Sequence, residues 1–399
     1  MLARRFGDLD LAEDSLQEAM AESLRAWSRD GVPRVPEAWL ITTAKRRALD
    51  VIRRDGVLAQ KIAALRIQEE RDPVPELLRD PADAAVDASP IPDDRLGLYF
   101  ACTHPALSPE DRIAMTLRFV AGLATPEVAH ALLLPVPTMQ QRITRAKKRI
   151  RTLGIPLDVP RAEDLVERLG GVLRVVYLLY AEGFARSSGE VHVRDDLTTE
   201  AIRLARRLWQ LMPSAEVTGL LALLLLTDAR RPARTDSDGR PVALADQDRR
   251  LWDASLIAEG VGLAESAAGG SGAGSYAIQA SIAALHAEAA SFEATDWPQI
   301  AVLYGMLERI EPSPFVRLAR AVAIGRALGL EEGLRRLDAL ADDPAIARLR
   351  AFHIARGVTL KELGRDAEAA DAYRHALTLP GNQAEDAYLL ETLALLDNE

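Results

Sequence analysis

Between Val136 and Arg151 the chain reads VPTMQQRITRAKKRIR, and its apolar residues leave the backbone little choice. Met139, Ile143, Ala146 and Ile150 recur at steps of four, three and four, which lines one face of an α-helix; a strand would need alternation. Pro137 and Thr138 suit the helix start. Upstream, TPEVAHALLL predicts a short helix with Thr125 as N-cap, Pro126 as its first helical residue and Glu127 well placed for the dipole, its inner face being Val128, Ala129 and Leu132. A tight turn around Leu134 to Val136 separates the two. Before them, SPEDRIAMTLRFVAG repeats the same grammar: cap Ser108, then Pro109, acids Glu110 and Asp111, a stripe of Ile113, Ala114, Leu117 and Val120, and a stop at Gly122. Helix, helix, tight turn and basic helix in that order predict a helix-turn-helix unit.

Charge says what that unit is for. The 399-residue chain has a formal net charge of −10, yet the segment from Val136 to Arg151 holds six basic residues and no acid. Residues 95–155 carry a net +6, against +1 for 1–54, −6 for 55–94 and −11 for 156–399. A locally basic domain inside an acidic chain predicts a polyanion partner for that domain alone. Off the apolar stripe lie Thr138, Gln140, Gln141, Arg142, Arg145, Lys147, Lys148 and Arg149. Near the helix start such side chains reach base edges in a major groove, and the later Lys and Arg cluster neutralises phosphates. Gln140, Gln141, Arg142 and Arg145 are the expected base readers. A 14-residue helix is about 21 Å long, enough for the groove and its flanking backbone.

A second basic helix is expected nearer the N-terminus. In VPEAWLITTAKRRALDVIRR, Leu40, Ala44, Ala48, Val51 and Ile52 form the apolar stripe, and Lys45, Arg46, Arg47, Arg53 and Arg54 lie mostly outside it. DLDLAEDSLQEAMAESLRAW before it is amphipathic, with an acidic face of Asp14, Glu18 and Glu22. Trp27 and Trp39 are expected as core, with stacking on an extruded base as the functional alternative.

These two motif sets, in this order and separation, resemble domains two and four of a bacterial extracytoplasmic-function (ECF) sigma factor of the sigma-70 family. The resemblance covers about the first 155 residues. It implies that the Asp8–Trp27 helix packs on the β′ clamp helices of core RNA polymerase through Asp14, Glu18 and Glu22, and that domain four meets the β flap. It also implies that Lys45, Arg46, Arg47, Arg53 and Arg54 hold an opened minus-10 element, and that the Thr138–Arg151 helix reads the minus-35 element of promoter DNA. Two departures stand out. The family pattern starts further upstream, so the first helix of domain two is expected to be truncated, and the family commonly has an asparagine near where Arg46 stands.

The remaining residues are expected to be helical, giving an all-α protein of five parts: 1–56, sigma domain two; 57–94, an acidic linker rich in Pro, Asp and Ala; 95–155, sigma domain four; 156–296, a helical extension; and 297–399, degenerate tetratricopeptide-like repeats. The repeat reading rests on RGVTLKELGRDAEAADAYRHALTLPGN, with Gly357, Ala369, Tyr373, Ala376 and Pro380 at nearly the spacing of such a helix pair, and on a second Leu-Gly pair, Leu328-Gly329, 35 residues before Leu363-Gly364. GIPLDVP at Gly154–Pro160 stops the basic helix, and AAGGSGAGS at Ala267–Ser275 breaks the acidic half. The extension resembles that of one subgroup of ECF factors and is expected to be regulatory, through a protein or a ligand.

Other function classes find less support. The longest apolar run, Val217–Leu226, is too short to span a bilayer and reads as a buried helix, and the N-terminus has charge where a signal peptide needs apolar residues, so a cytoplasmic protein is expected. The single cysteine, Cys102, makes no internal disulfide, and with His104 it is expected as packing, not as a metal site; no cofactor is called for. A hydrolase would have to use His192, Asp195, Asp196, Glu200, His286 and Glu288, and no nucleophile elbow, phosphate loop or metal spacing accompanies them. A protein-only adaptor built on the repeats leaves both basic helices unexplained.

Overall fold

A computed structural model describes residues 8–66, 91, 93–155 and 159–396, together with Leu2 and Phe6. The acidic linker expected at 57–94 lies mostly outside the described residues. Within them the chain is helical, and the nearest approach to a sheet is one isolated bridge between Thr235 and Pro241. The described chain divides into two compact units, residues 1–122 with 140–169 and residues 123–139 with 170–399.

In the first unit, α1 (Leu9–Asp30) and α2 (Pro36–Arg66) form an antiparallel pair. Asp8 caps α1, its Oδ1 accepting from the Asp10 and Leu11 amides, and Gly31 closes it at a φ of 81°, where a side chain would be strained. Ala12, Ala19 and Ala44 let the helices approach, with Leu16 and Leu40 packed beside them. Trp27 and Trp39 meet edge to face with centroids 5.6 Å apart, so both rings serve the helix pair. The α2 helix continues past residue 56, where the sequence pattern ends the domain. Next come α3 (Asp94–Cys102) and α4 (Pro109–Phe119), the latter capped by Ser108 as expected. Leu96, Tyr99, Phe100, Met115 and Leu117 are buried almost completely. Cys102 is buried with them, which pushes its thiol up to about 12 and leaves it inert packing.

Thr125 is not the N-cap of the next helix. In α5 (Thr125–Ala131) the cap position is Ala124, whose amide donates 2.7 Å to the Glu127 carboxylate. An acid at the third position reaches back to the orphan amide that a Thr125 cap would have left to solvent. The turn also comes earlier than expected: Leu133 sits at a φ of 54°, and the Leu134 amide returns to the Ala129 carbonyl at 2.8 Å. Helix α6 spans Val136–Leu153, and Gly154 ends it at a φ of 58°.

The extension begins with α7 (Ala162–Phe184), followed by α8 (Asp195–Leu211) and α9 (Ala215–Asp228). Helix α9, which contains VTGLLALLLL, is buried nearly all round, so its apolar residues need no single face. A Cβ on Gly219 would come within 2.6 Å of the Ala277 amide of α11 (Ser275–Glu288), so only glycine allows that crossing. Between α10 (Ala254–Gly269) and α11, the glycine-rich break is pinned by Glu216, which accepts from the amides of Gly274, Tyr276 and Ala277. Helix pairs complete the chain: α12 (Trp297–Ile310) with α13 (Pro314–Leu328), α14 (Leu330–Asp338), a short α15 (Pro344–Ala347), α16 (Arg350–Glu362), α17 (Asp366–Leu377) and α18 (Gln383–Leu396). In the α16–α17 pair Tyr373 lies against Gly357, where a Cβ would be 2.6 Å from its ring, with Ala369 and Ala376 fully buried. Gly325 and Gly333 face each other just as closely between α13 and α14.

Candidate nucleic-acid interface

The apolar stripe that holds α6 is buried: Met139 is 0% exposed, Ile143 8%, Ala146 1% and Ile150 4%. Burying such side chains contributes roughly 1.5–3 kcal/mol for each large one and fixes which residues face outward. Thr138, Gln140, Gln141, Arg145, Lys148 and Arg149 are exposed. Among the described residues Arg145 and Thr144 are tied only to the carbonyls one turn back, Gln141 and Gln140, which leaves the end of the Arg145 guanidinium unpaired there. The other two candidates are engaged. Arg142 lies 3.9 Å from Glu110 and 4.0 Å from Asp111, a loose pairing with the first turn of α4. Lys147 pairs with Asp10 and lies 3.5 Å from Glu13, both on α1, while its ammonium sits 4.5 Å from the Phe119 ring centroid. Arg118 reaches the same Glu13 at 2.8 Å. Spacing along one helix cannot show a pairing with a segment more than a hundred residues away, so Lys147 read as a free cation in the sequence.

On α2, Arg46, Arg53 and Arg54 are exposed and Lys45 is partly so. Arg47 instead bridges back to α1, 2.8 Å from Glu22 and 3.9 Å from Glu18, so two of the three acids expected to meet polymerase also brace the helix pair. Exposed pairs of this kind contribute only about 0–1 kcal/mol and are readily exchanged for other partners. Asp14 is exposed. Sequence reasoning missed two neighbours of these acids: Met20 is 49% and Leu24 75% exposed, one turn apart on α1. Large apolar side chains left outside an amphipathic pattern were the available signal.

Profiles described as "Sigma-70 region 2" and "Sigma-70, region 4" match residues 1–57 and 98–150, which are α1 with most of α2, and α3 to α6. The chain belongs to the ECF sigma factors of the sigma-70 family. A third profile, a family of unknown function named DUF6596, matches residues 168–268 of this sigma factor's extension. An uncharacterized protein, R00370, of Rhizobium meliloti (strain 1021) is 42% identical over 97% of this chain and 90% of its own length. The probable ECF RNA polymerase sigma factor SigI of Mycobacterium tuberculosis is 27% identical over 41% of this chain, and the ECF RNA polymerase sigma factor SigE of Mycolicibacterium smegmatis 29% over 37%. Each match spans 53% of the mycobacterial protein. No solved structure matches.

The residues a hydrolase would need do not converge. His192 is buried between Arg234 and Asn382, Asp196 pairs with Arg194, Glu200 with Arg203, and His286 packs on Trp297. Asp195 lies 3.6 Å from Arg231. Among the described residues no helix is long and apolar enough to cross a membrane.

Proposed function

We propose that this sigma factor binds core RNA polymerase and directs promoter-specific initiation, with its two basic helices taking separate promoter elements. Helix α1 meets the β′ clamp helices through Asp14, Glu18 and Glu22, and Met20 and Leu24 supply the apolar centre such an interface needs. Domain four meets the β flap. Lys45, Arg46, Arg53 and Arg54 follow the opened minus-10 strand, and Arg47 holds α2 to α1 so that they point one way. Helix α6 reads the minus-35 duplex with Gln140, Gln141 and Arg145, positioned by Thr138, Lys148 and Arg149 on phosphates. Arg142 and Lys147 join the contact once their carboxylates let go.

The observation that carries this reading is the outward face of α6, basic and polar from Thr138 to Thr152, above a stripe that is fully packed. Run-off transcription with purified core polymerase tests it. A defined start that depends on the full-length chain is expected; no defined start on any promoter fragment, in an assay where a known sigma factor works, would sink it.

The extension is regulatory in this proposal. Supporting it, Glu127, the residue that caps α5, is held by Arg186 at 3.6 Å and Arg194 at 3.8 Å, both from the extension. Holoenzyme carrying Arg186→Gln and Arg194→Gln together should change promoter output at equal protein level; equal output and equal polymerase affinity would count against it.

A further inference from the structure

The extension holds a cavity of about 610 Å³, within the range of small-molecule sites. Tyr177, Tyr304 and Phe315 with Leu178 and Leu223 give it a flat, largely apolar lining. Into this lining comes Arg230, whose guanidinium has no carboxylate partner among the described residues and lies 5.9 Å from the Trp252 ring centroid. The acids that could have paired with it are taken. Asp228 accepts from Arg231, Glu311 from Arg174 at 3.0 Å, and Glu182 from the Ser187 amide and hydroxyl. Burial pulls the Arg230 guanidinium below its ordinary pKa, and Arg249 pulls it the same way. His286, on the same wall, has its Nδ1 buried without a hydrogen-bond partner.

A partly buried arginine without a counter-charge and an orphaned imidazole nitrogen are costly in a free protein, and native structures seldom keep either without a reason. We infer that the cavity binds a small organic monocarboxylate with a flat, mainly apolar body, its carboxylate meeting Arg230 and its body lying among Tyr177, Tyr304 and Phe315. A monoanion fits because two arginines line the cavity and one of them, Arg174, is already paired with Glu311, which leaves Arg230 for the ligand. His130 and Ala131 of α5 form part of the wall, so the occupant touches the helix that precedes the promoter-reading helix. This deepens the regulatory reading of the extension and rests on it for its biological sense.

The test is a titration of the full-length protein with three probes that share a body: 2-naphthoate, the neutral 2-naphthalenemethanol and 2-naphthyl phosphate. A charge-assisted pair predicts that the carboxylate binds at least about tenfold tighter than the alcohol, and tighter than the phosphate. Arg230→Met should abolish that preference while leaving the ligand-free melting temperature unchanged or higher, as expected when an unpaired, partly desolvated charge is removed. Hydrogen exchange should show naphthoate protecting residues 125–131 and 223–230. No binding of any probe, equal binding of the alcohol, tighter binding of the phosphate, a preference that survives R230M, or protection confined to other helices would each overturn the assignment. If R230M does not fold, the wild-type ratios and the exchange map decide alone. None of these measurements uses polymerase or promoter, so their failure is distinct from failure of the sigma reading.

Discussion

At Arg145 and Lys147 two positively charged side chains on one helix have different surroundings, and their substitutions should differ accordingly. Arg145 is exposed, with the end of its guanidinium unpaired among the described residues, so Arg145→Ala should cost holoenzyme about 1–3 kcal/mol of promoter binding and relax preference at one base position, read by competition against single-base variants. Lys148 is exposed and, as a phosphate contact, Lys148→Ala should weaken all sequences alike and lower the salt slope by about 0.9. Lys147 is paired with Asp10 and Glu13 in the free protein. Its substitution should therefore move the slope less than that of Lys148, and Asp10→Asn with Glu13→Gln should raise the affinity of the isolated protein for DNA. Equal slopes for the two lysine variants would show that the α1 pairing does not compete with DNA. All eight positions were legible as off-stripe residues in the sequence. Which of them are free was not, because the carboxylates that occupy Lys147 lie some 135 residues away along the chain.

The α5–turn–α6 element shows how local grammar and local geometry part company. A Thr-Pro-Glu start reads as a threonine cap, but the glutamate carboxylate does the capping and the threonine is the first helical residue. Counted from Thr125 the acid stands at the second position and only with Ala124 as the cap does it reach the third, where a capping box holds it, so its presence was legible and its role was not. The turn carries Leu133 at a φ of 54°, a conformation that costs an L-residue roughly 1–2 kcal/mol. Leu133→Gly should thus be neutral or stabilising by up to about 1 kcal/mol in thermal unfolding, since glycine's greater unfolded freedom offsets part of the relief. A marked loss of stability would mean that the Leu133 side chain, partly exposed here, carries packing that outweighs the strain. In the α16–α17 pair the forecast runs the other way: Gly357→Val drives a branched side chain into the Tyr373 ring and should cost about 1–3 kcal/mol.

Across the whole molecule, the extension carries two buried titrating groups whose effects on stability oppose each other. Burial raises Glu182 to about 7, so the folded state holds a proton that the unfolded state releases near its ordinary value, and its contribution to stability falls as pH rises from about 4.5 to 7. Burial, aided by Arg234, lowers His192 to about 4, so its contribution is present above about 6.5 and is lost as pH falls toward 4. The two windows overlap between about pH 4.5 and 6.5, where each group offsets the other, so Glu182→Gln should leave a steeper rise of stability with pH there and His192→Gln a steeper fall, measured by denaturant unfolding at several pH values; a profile unchanged by both would remove these groups from the account. The sequence alone determined that the chain is all-α, that it carries two basic helices in sigma order, that Met139, Ile143, Ala146 and Ile150 are the buried stripe of α6, and that Gly357 and Tyr373 belong to one helix pair, because these follow from periodicity, caps and charge within a few turns of chain; the stripe expected on α2 held less well, since Ile52 is exposed. Only the tertiary structure decided that Lys147 is held by α1, that Arg186 and Arg194 close on Glu127, and that Arg230 has no counter-charge among the described residues beside a cavity. Each of those is a balance of burial and pairing among residues tens to more than a hundred positions apart, and no local pattern encodes it.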